Sequence, residues 1–146
     1  MTHADAGRYS AKHPSGGTLD EKTAAAVREN VADGKIACAD AERIGRDLGT
    51  ALAEVGRTID LLEVRISRCQ LGLFGYDGEV KGKSVRPEGQ VTPALEKAIR
   101  SRLSGGRLPC AAAWEIAAEM SLPRMKVSSA CETLKIKVKP CQLGAF

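Results

Sequence analysis

The sequence predicts a mainly α-helical protein with short β-strands, assembled from two tandem copies of one small unit. Three observations carry this. The hexapeptide Cys69-Gln70-Leu71-Gly72-Leu73-Phe74 returns as Cys141-Gln142-Leu143-Gly144-Ala145-Phe146; from position 69 to position 141 the offset is 72. Holding that offset without a gap aligns Gly34 with Gly106, Cys38 with Cys110, Ala41 with Ala113, Ile44 with Ile116, Val55 with Val127 and Leu62 with Leu134. A fixed-period match at apolar positions is the signature of a repeated structural unit. Finally, 43% of the residues are hydrophobic but only 3% aromatic, so the core must be built from Leu, Ile, Val, Ala and Met, which suits closely packed helices.

Each element has its own local signal. Residues 1–17 form a polar tail with too little apolar content to bury, so disorder is expected there. In the first copy, residues 18–74, Thr18 and Glu21 are placed as a capping box, Asp33-Gly34 ends the first helix, Gly49 marks a turn, and residues 64–66 read as a strand. Residues 75–91, rich in Gly and charge and containing Pro87, read as a linker. The second copy, residues 92–146, opens on Thr92-Pro93, an N-cap followed by proline at the first helical position. Leu95, Ala98, Ile99 and Leu103 follow at helical spacing, and Ser104-Gly105-Gly106 stops the helix. A second helix is expected from Ala111 to Met120 and a third from about Pro123 to Leu134. Residues 135–139 alternate Lys with Ile or Val, the pattern of a half-buried strand.

The second and third helices of each copy resemble a helix-turn-helix, and the flanking strands resemble the winged variety. The motif calls for a small residue within its first helix (Gly45, Ala117) preceded by an apolar one (Ile44, Ile116). It also calls for an apolar residue before the turn (Leu48, Met120), a turn residue (Gly49, Ser121) and a buried aliphatic six positions later (Val55, Val127). The resemblance implies two tandem winged-helix-like repeats. A strand, a tight turn near Lys139-Pro140 and a return strand through residues 141–146 would leave room for a minimal wing only.

Such a scaffold implies duplex DNA as the partner and transcriptional regulation as the function, with the third helix in the major groove. Charge points to the second copy. Residues 1–75 carry 10 Lys/Arg against 11 Asp/Glu, a deficit of one, while residues 76–146 carry 12 against 7, a surplus of five. Its expected DNA-binding residues are Arg124, Lys126, Ser128 and Ser129 on the third helix, with Lys135, Lys137 and Lys139 on the next strand leaning on phosphates. Charge alone would equally make these a solvated face.

The third helix of the first copy offers only Arg57 as an outward donor. Its Leu52, Ile59 and Leu61 exceed one buried face and predict an interface with the other repeat, a second chain of a homodimer, or another protein partner. The five cysteines lack metal-ligand spacing and read as small buried hydrophobes, so neither metal nor other cofactor is expected. There is no phosphate loop and no nucleophile elbow, which favours a binding protein over an enzyme. No membrane span is expected, and reduced thiols without an export signal point to the cytoplasm. The alternatives to DNA are a winged-helix protein-interaction module and a binder of structured RNA.

Overall fold

The computed structural model describes residues 9–13, 19–79 and 82–146. The chain is mainly helical and divides into two compact units: the first runs to Cys69 and includes Gln142–Phe146, and the second is Gln70–Cys141. The Cys-Gln-Leu-Gly-x-Phe elements are thus traded. The element that ends the second copy belongs to the first unit, and residues 70–74, which end the first copy, belong to the second.

In the first unit, α1 (Glu21–Glu29) starts at Asp20, whose carboxylate accepts the Thr23 N–H at 3.1 Å and the Thr23 hydroxyl at 2.5 Å. That hydroxyl, followed by the N–H, holds the Asp20 carboxyl below its ordinary value of 3.8. Thr18 lies outside the described residues. Thr23, Ala24 and Val27 are the buried stripe of α1. Strand β1 (Lys35–Ala37) leads into α2 (Cys38–Leu48), α3 (Leu52–Leu61) and β2 (Arg65–Ser67). The strands pair in parallel, Ile36 opposite Ile66, and both isoleucines are buried. Each contributes about 1.5–3 kcal/mol by leaving water.

The turn between α2 and α3 follows the expectation from its residues. Gly49 has φ +64°, the left-handed conformation glycine adopts without a Cβ penalty, and Thr50 N–H reaches the Gly45 carbonyl at 2.9 Å. A Cβ on Gly45 would lie 2.9 Å from the Thr50 carbonyl oxygen, so a small residue is required there. Leu48 differs from expectation: it is 41% exposed and adds nothing to the core.

The second unit contains α4 (Pro93–Arg100), α5 (Cys110–Glu119) and α6 (Arg124–Leu134). Thr92 caps α4, accepting the Leu95 N–H at 3.3 Å. Backbone details recur at the sequence offset. The antiparallel bridge Ala32–Lys35 becomes Ser104–Arg107, and the Ile36–Ile66 pairing becomes a parallel bridge between Leu108 and Val138. The φ values of +64° at Gly49 and +55° at Glu63 return as +54° at Ser121 and +57° at Lys135.

Three expectations are corrected. The strand over residues 135–139 contracts to the single bridge at Val138: Lys135 (φ +57°) caps α6 and the Ile136 N–H turns back to the Cys131 carbonyl at 2.9 Å, which leaves the Lys137 carbonyl to accept the Leu108 N–H and the Lys139 N–H to reach the Leu108 carbonyl, both at 2.9 Å. The return strand does not form. Residues 142–144 form a turn and bend within an otherwise irregular segment, and among the described residues no hairpin wing is present. The tail is also ordered in part: Tyr9–Lys12 form a 3-10 turn with Tyr9 only 3% exposed. No helix among the described residues is long and apolar enough to cross a membrane.

Candidate nucleic-acid interface

In the second unit the helix expected to read DNA is largely covered. Residues 70–74 lie along one side of α6 and residues 82–89 along another. The buried Ser128 hydroxyl donates to the Leu71 carbonyl at 2.6 Å. Ser129 donates through its hydroxyl to the Arg86 carbonyl, and its own carbonyl accepts the Glu88 N–H at 3.2 Å. The Lys83 ammonium pairs with Glu132. Gly72 takes the N–H groups of Ser84 and Val85 on its carbonyl at 2.8 and 3.0 Å. Of the α6 residues, only Lys126 is exposed.

This changes the standing of four expected contacts. Ser128 faces the interior, since its hydroxyl is consumed by Leu71 and by the Met125 carbonyl at 3.0 Å. Ser129 is tied to the segment that covers it. Arg124 stacks on Trp114, 3.7 Å from the ring centroid, and donates to Gln70 Oε1 at 2.9 Å, so its fork is engaged within the unit. Lys126 reaches solvent but pairs with Glu88 at 2.8 Å.

The remaining cations are placed differently. Lys135, Lys137 and Lys139 are exposed, while Ile136 and Val138 between them are half-buried. Arg107, missed in the sequence, joins them: it precedes Leu108 on the neighbouring segment and is exposed. None of these four makes an ion pair with a described carboxylate. Arg107 could have been found by carrying the repeat one step further, since its counterpart Lys35 stands opposite Arg65 in the β1–β2 register. In an extended segment alternate side chains stand about 7 Å apart on one face. Lys137 and Lys139 flank the bridged Val138, Arg107 precedes its partner Leu108, and Lys135, at φ +57°, stands just before them at the C-cap of α6; together the four cations make up a basic ridge.

Among the described residues the first unit has no comparable ridge, since its counterparts Lys35 and Arg65, opposite one another in the register, are half-buried. Arg57 pairs with Glu54 at 2.8 Å. On α3, Ile59 is fully buried, and Leu52 and Leu61 are half-buried. The covering pieces come from within the unit. Leu143 lies on Gly56, and the N–H groups of Tyr9 and Ser10 donate to the Glu63 carboxylate at 2.9 and 2.7 Å. The Ser10 N–H and hydroxyl, then the Tyr9 N–H, hold the Glu63 carboxyl below its usual 4.5. Lys12 Nζ and His13 Nε2 approach Asp60 Oδ2 at 3.2 and 2.7 Å, while the buried Oδ1 has no hydrogen-bond partner.

The order of residues 9–13 and 82–89 was also missed. A signal was present: His13-Pro14-Ser15-Gly16 and Arg86-Pro87-Glu88-Gly89 share an x-Pro-x-Gly pattern ahead of each repeat. In both units a lysine from this region meets a carboxylate of the third helix, Asp60 or Glu132, which the offset of 72 makes equivalent.

Cys38, Cys69, Cys110 and Cys131 are buried and Cys141 is half-buried, and none of the five is in a disulfide. Burial, followed by the nearby Glu132 charge, pushes the Cys131 thiol up to about 11. Among the described residues no three metal-ligating side chains converge. Iodoacetamide applied to the native protein at mildly alkaline pH should modify Cys141 first and leave Cys131 intact, as read by peptide mass spectrometry. Early labelling of Cys131 would contradict its burial. No protein-family model matches the chain, and neither a curated protein nor a solved structure matches it.

Proposed function

We propose that this protein binds nucleic acid, with duplex DNA as the ligand, through the basic ridge of its second unit rather than through an inserted third helix. The observation that carries this reading is the exposed set Arg107, Lys135, Lys137 and Lys139, which pairs with no described carboxylate. Such a ridge neutralises phosphates and carries little base information, so binding is largely independent of sequence. Regulation of transcription would then need specificity from elsewhere, such as groove width or a partner protein.

Fluorescence anisotropy with random duplex DNA tests this. Four phosphate contacts give a log–log salt slope of about −3.6, hence a loss of roughly 100-fold in affinity between about 50 and 200 mM salt. Absence of binding at the lower salt would remove nucleic acid from consideration. Tighter competition by structured RNA than by duplex DNA would make RNA the ligand. A second reading, a protein-interaction module, is favoured by one observation: the third helix of each unit already holds a short peptide segment from elsewhere in the chain, residues 70–74 on α6 and 142–146 on α3.

A further inference from the structure

The two units receive their Gln-Leu-Gly elements at equivalent positions. In the second unit Leu71 meets α6 at Ser128; in the first Leu143 meets α3 at Gly56. An offset of 72 converts Gly56 into Ser128 and Leu71 into Leu143. In neither unit does a repeat use the element that directly follows its own strand. Both slots are filled by the element of the other repeat.

The fit in the first unit is close. A Cβ on Gly56 would lie 1.9 Å from the Leu143 carbonyl oxygen and 2.6 Å from its carbonyl carbon, so the tail backbone rests directly on the helix backbone. Leu143 and Ala145 are buried at 3% and 4% exposure. Lys12 Nζ donates to the Gly144 carbonyl at 2.9 Å, latching the segment from its outer side. The slot therefore recognises three things: a leucine side chain, a backbone free to approach the bare helix, and a carbonyl that a lysine can reach.

We propose that the α3 slot accepts this element in trans, and that the partner is a second copy of this chain donating residues 142–146. Donation between repeats is the arrangement in both units, and nothing in the slot distinguishes a Leu143 from its own chain from one on another. Within a single chain the tether raises the effective concentration of the tail and keeps the closed form dominant. When the chain's own tail is disabled, exchange with a second copy completes the unit, as in domain swapping.

Two full-length variants make a complementation test. Gly56→Leu fills the slot but keeps a good tail. Leu143→Asp spoils the tail but keeps a good slot, and Leu143→Ala is a milder receiver that guards against misfolding. Each alone should run as a monomer in sedimentation velocity and native mass spectrometry. Mixing Gly56→Leu with either receiver should give a 1:1 heterodimer, because one intact slot and one intact tail are then present. As a second measurement, the synthetic peptide Cys-Gln-Leu-Gly-Ala-Phe should raise the unfolding temperature of the receivers and leave that of Gly56→Leu unchanged. Monomers in both mixtures, together with no shift from the peptide, would overturn the proposal. These outcomes do not depend on nucleic-acid binding, which the donor and receiver should retain.

Discussion

Replacing Lys135, Lys137 and Lys139 together by Gln should flatten the salt dependence of DNA binding by about three units of log–log slope and weaken affinity on the order of 100-fold at ~50 mM salt. The loss should be the same for every duplex sequence, because phosphates carry no base identity. All three side chains are exposed, so the unfolding temperature should hardly change. The contrast with the third helix is the sharper part of the test. Arg124 is stacked on Trp114 and bonded to Gln70, and Ser128 is buried, so Arg124→Ala and Ser128→Ala should lower stability while leaving the salt slope where it was. A slope that collapses in Arg124→Ala and persists in the triple variant would return the reader to α6. It would also require residues 70–74 and 82–89 to leave that helix on binding.

Gly56→Ala should destabilise the first unit although it improves the helix. Ala is favoured over Gly within a helix by about 1 kcal/mol. Against this stands a contact that cannot be relieved by a rotamer change, since the atom 1.9 Å from the new Cβ is a main-chain oxygen. The tail must move outward, and the overpacking costs about 1–3 kcal/mol, with part of the roughly 1.5–3 kcal/mol from burying Leu143 lost as well. The second unit shows what a Cβ at this position requires, because Ser128 holds the Leu71 carbonyl at hydroxyl distance instead. The expected net effect is a loss of about 1–3 kcal/mol in urea unfolding, seen in the amide signals of α3 and residues 142–146. A variant more stable than the parent would mean that the tail does not rest on the helix at Gly56.

The repeat, the helices and the turn were legible because each rests on local chemistry. Thr92-Pro93 specifies a helix start, Gly49 a left-handed turn, and Gly45 a close crossing, and all are decided within a few residues. Residues 135–139 were misread as a full strand because alternation reports only which side chains are buried. How many backbone partners stand alongside is a non-local matter: the Ile136 N–H turns back to α6 at the Cys131 carbonyl, and Leu108 is the one bridge partner. The candidate site was half legible for the same reason. The lysines of residues 135–139 advertise themselves by charge, and exposure keeps them available. Ser128 and Ser129 have the composition of a reading face, but the segments that consume their hydroxyls come from 57 and 43 positions away. Nothing within α6 announces those segments.

The trading of tail elements also sets an order in time. Gly56 and Leu143 are 87 positions apart in the sequence. At usual rates of synthesis the helices of the first unit leave the ribosome roughly 4–17 s before the segment that covers them. During that interval α3 carries an open apolar slot, whereas residues 70–74 are already waiting when α6 emerges. The unit made first is therefore the unit finished last. Contacts of such long sequence separation also close slowly in refolding, so the first unit should be the later of the two to gain its final protection.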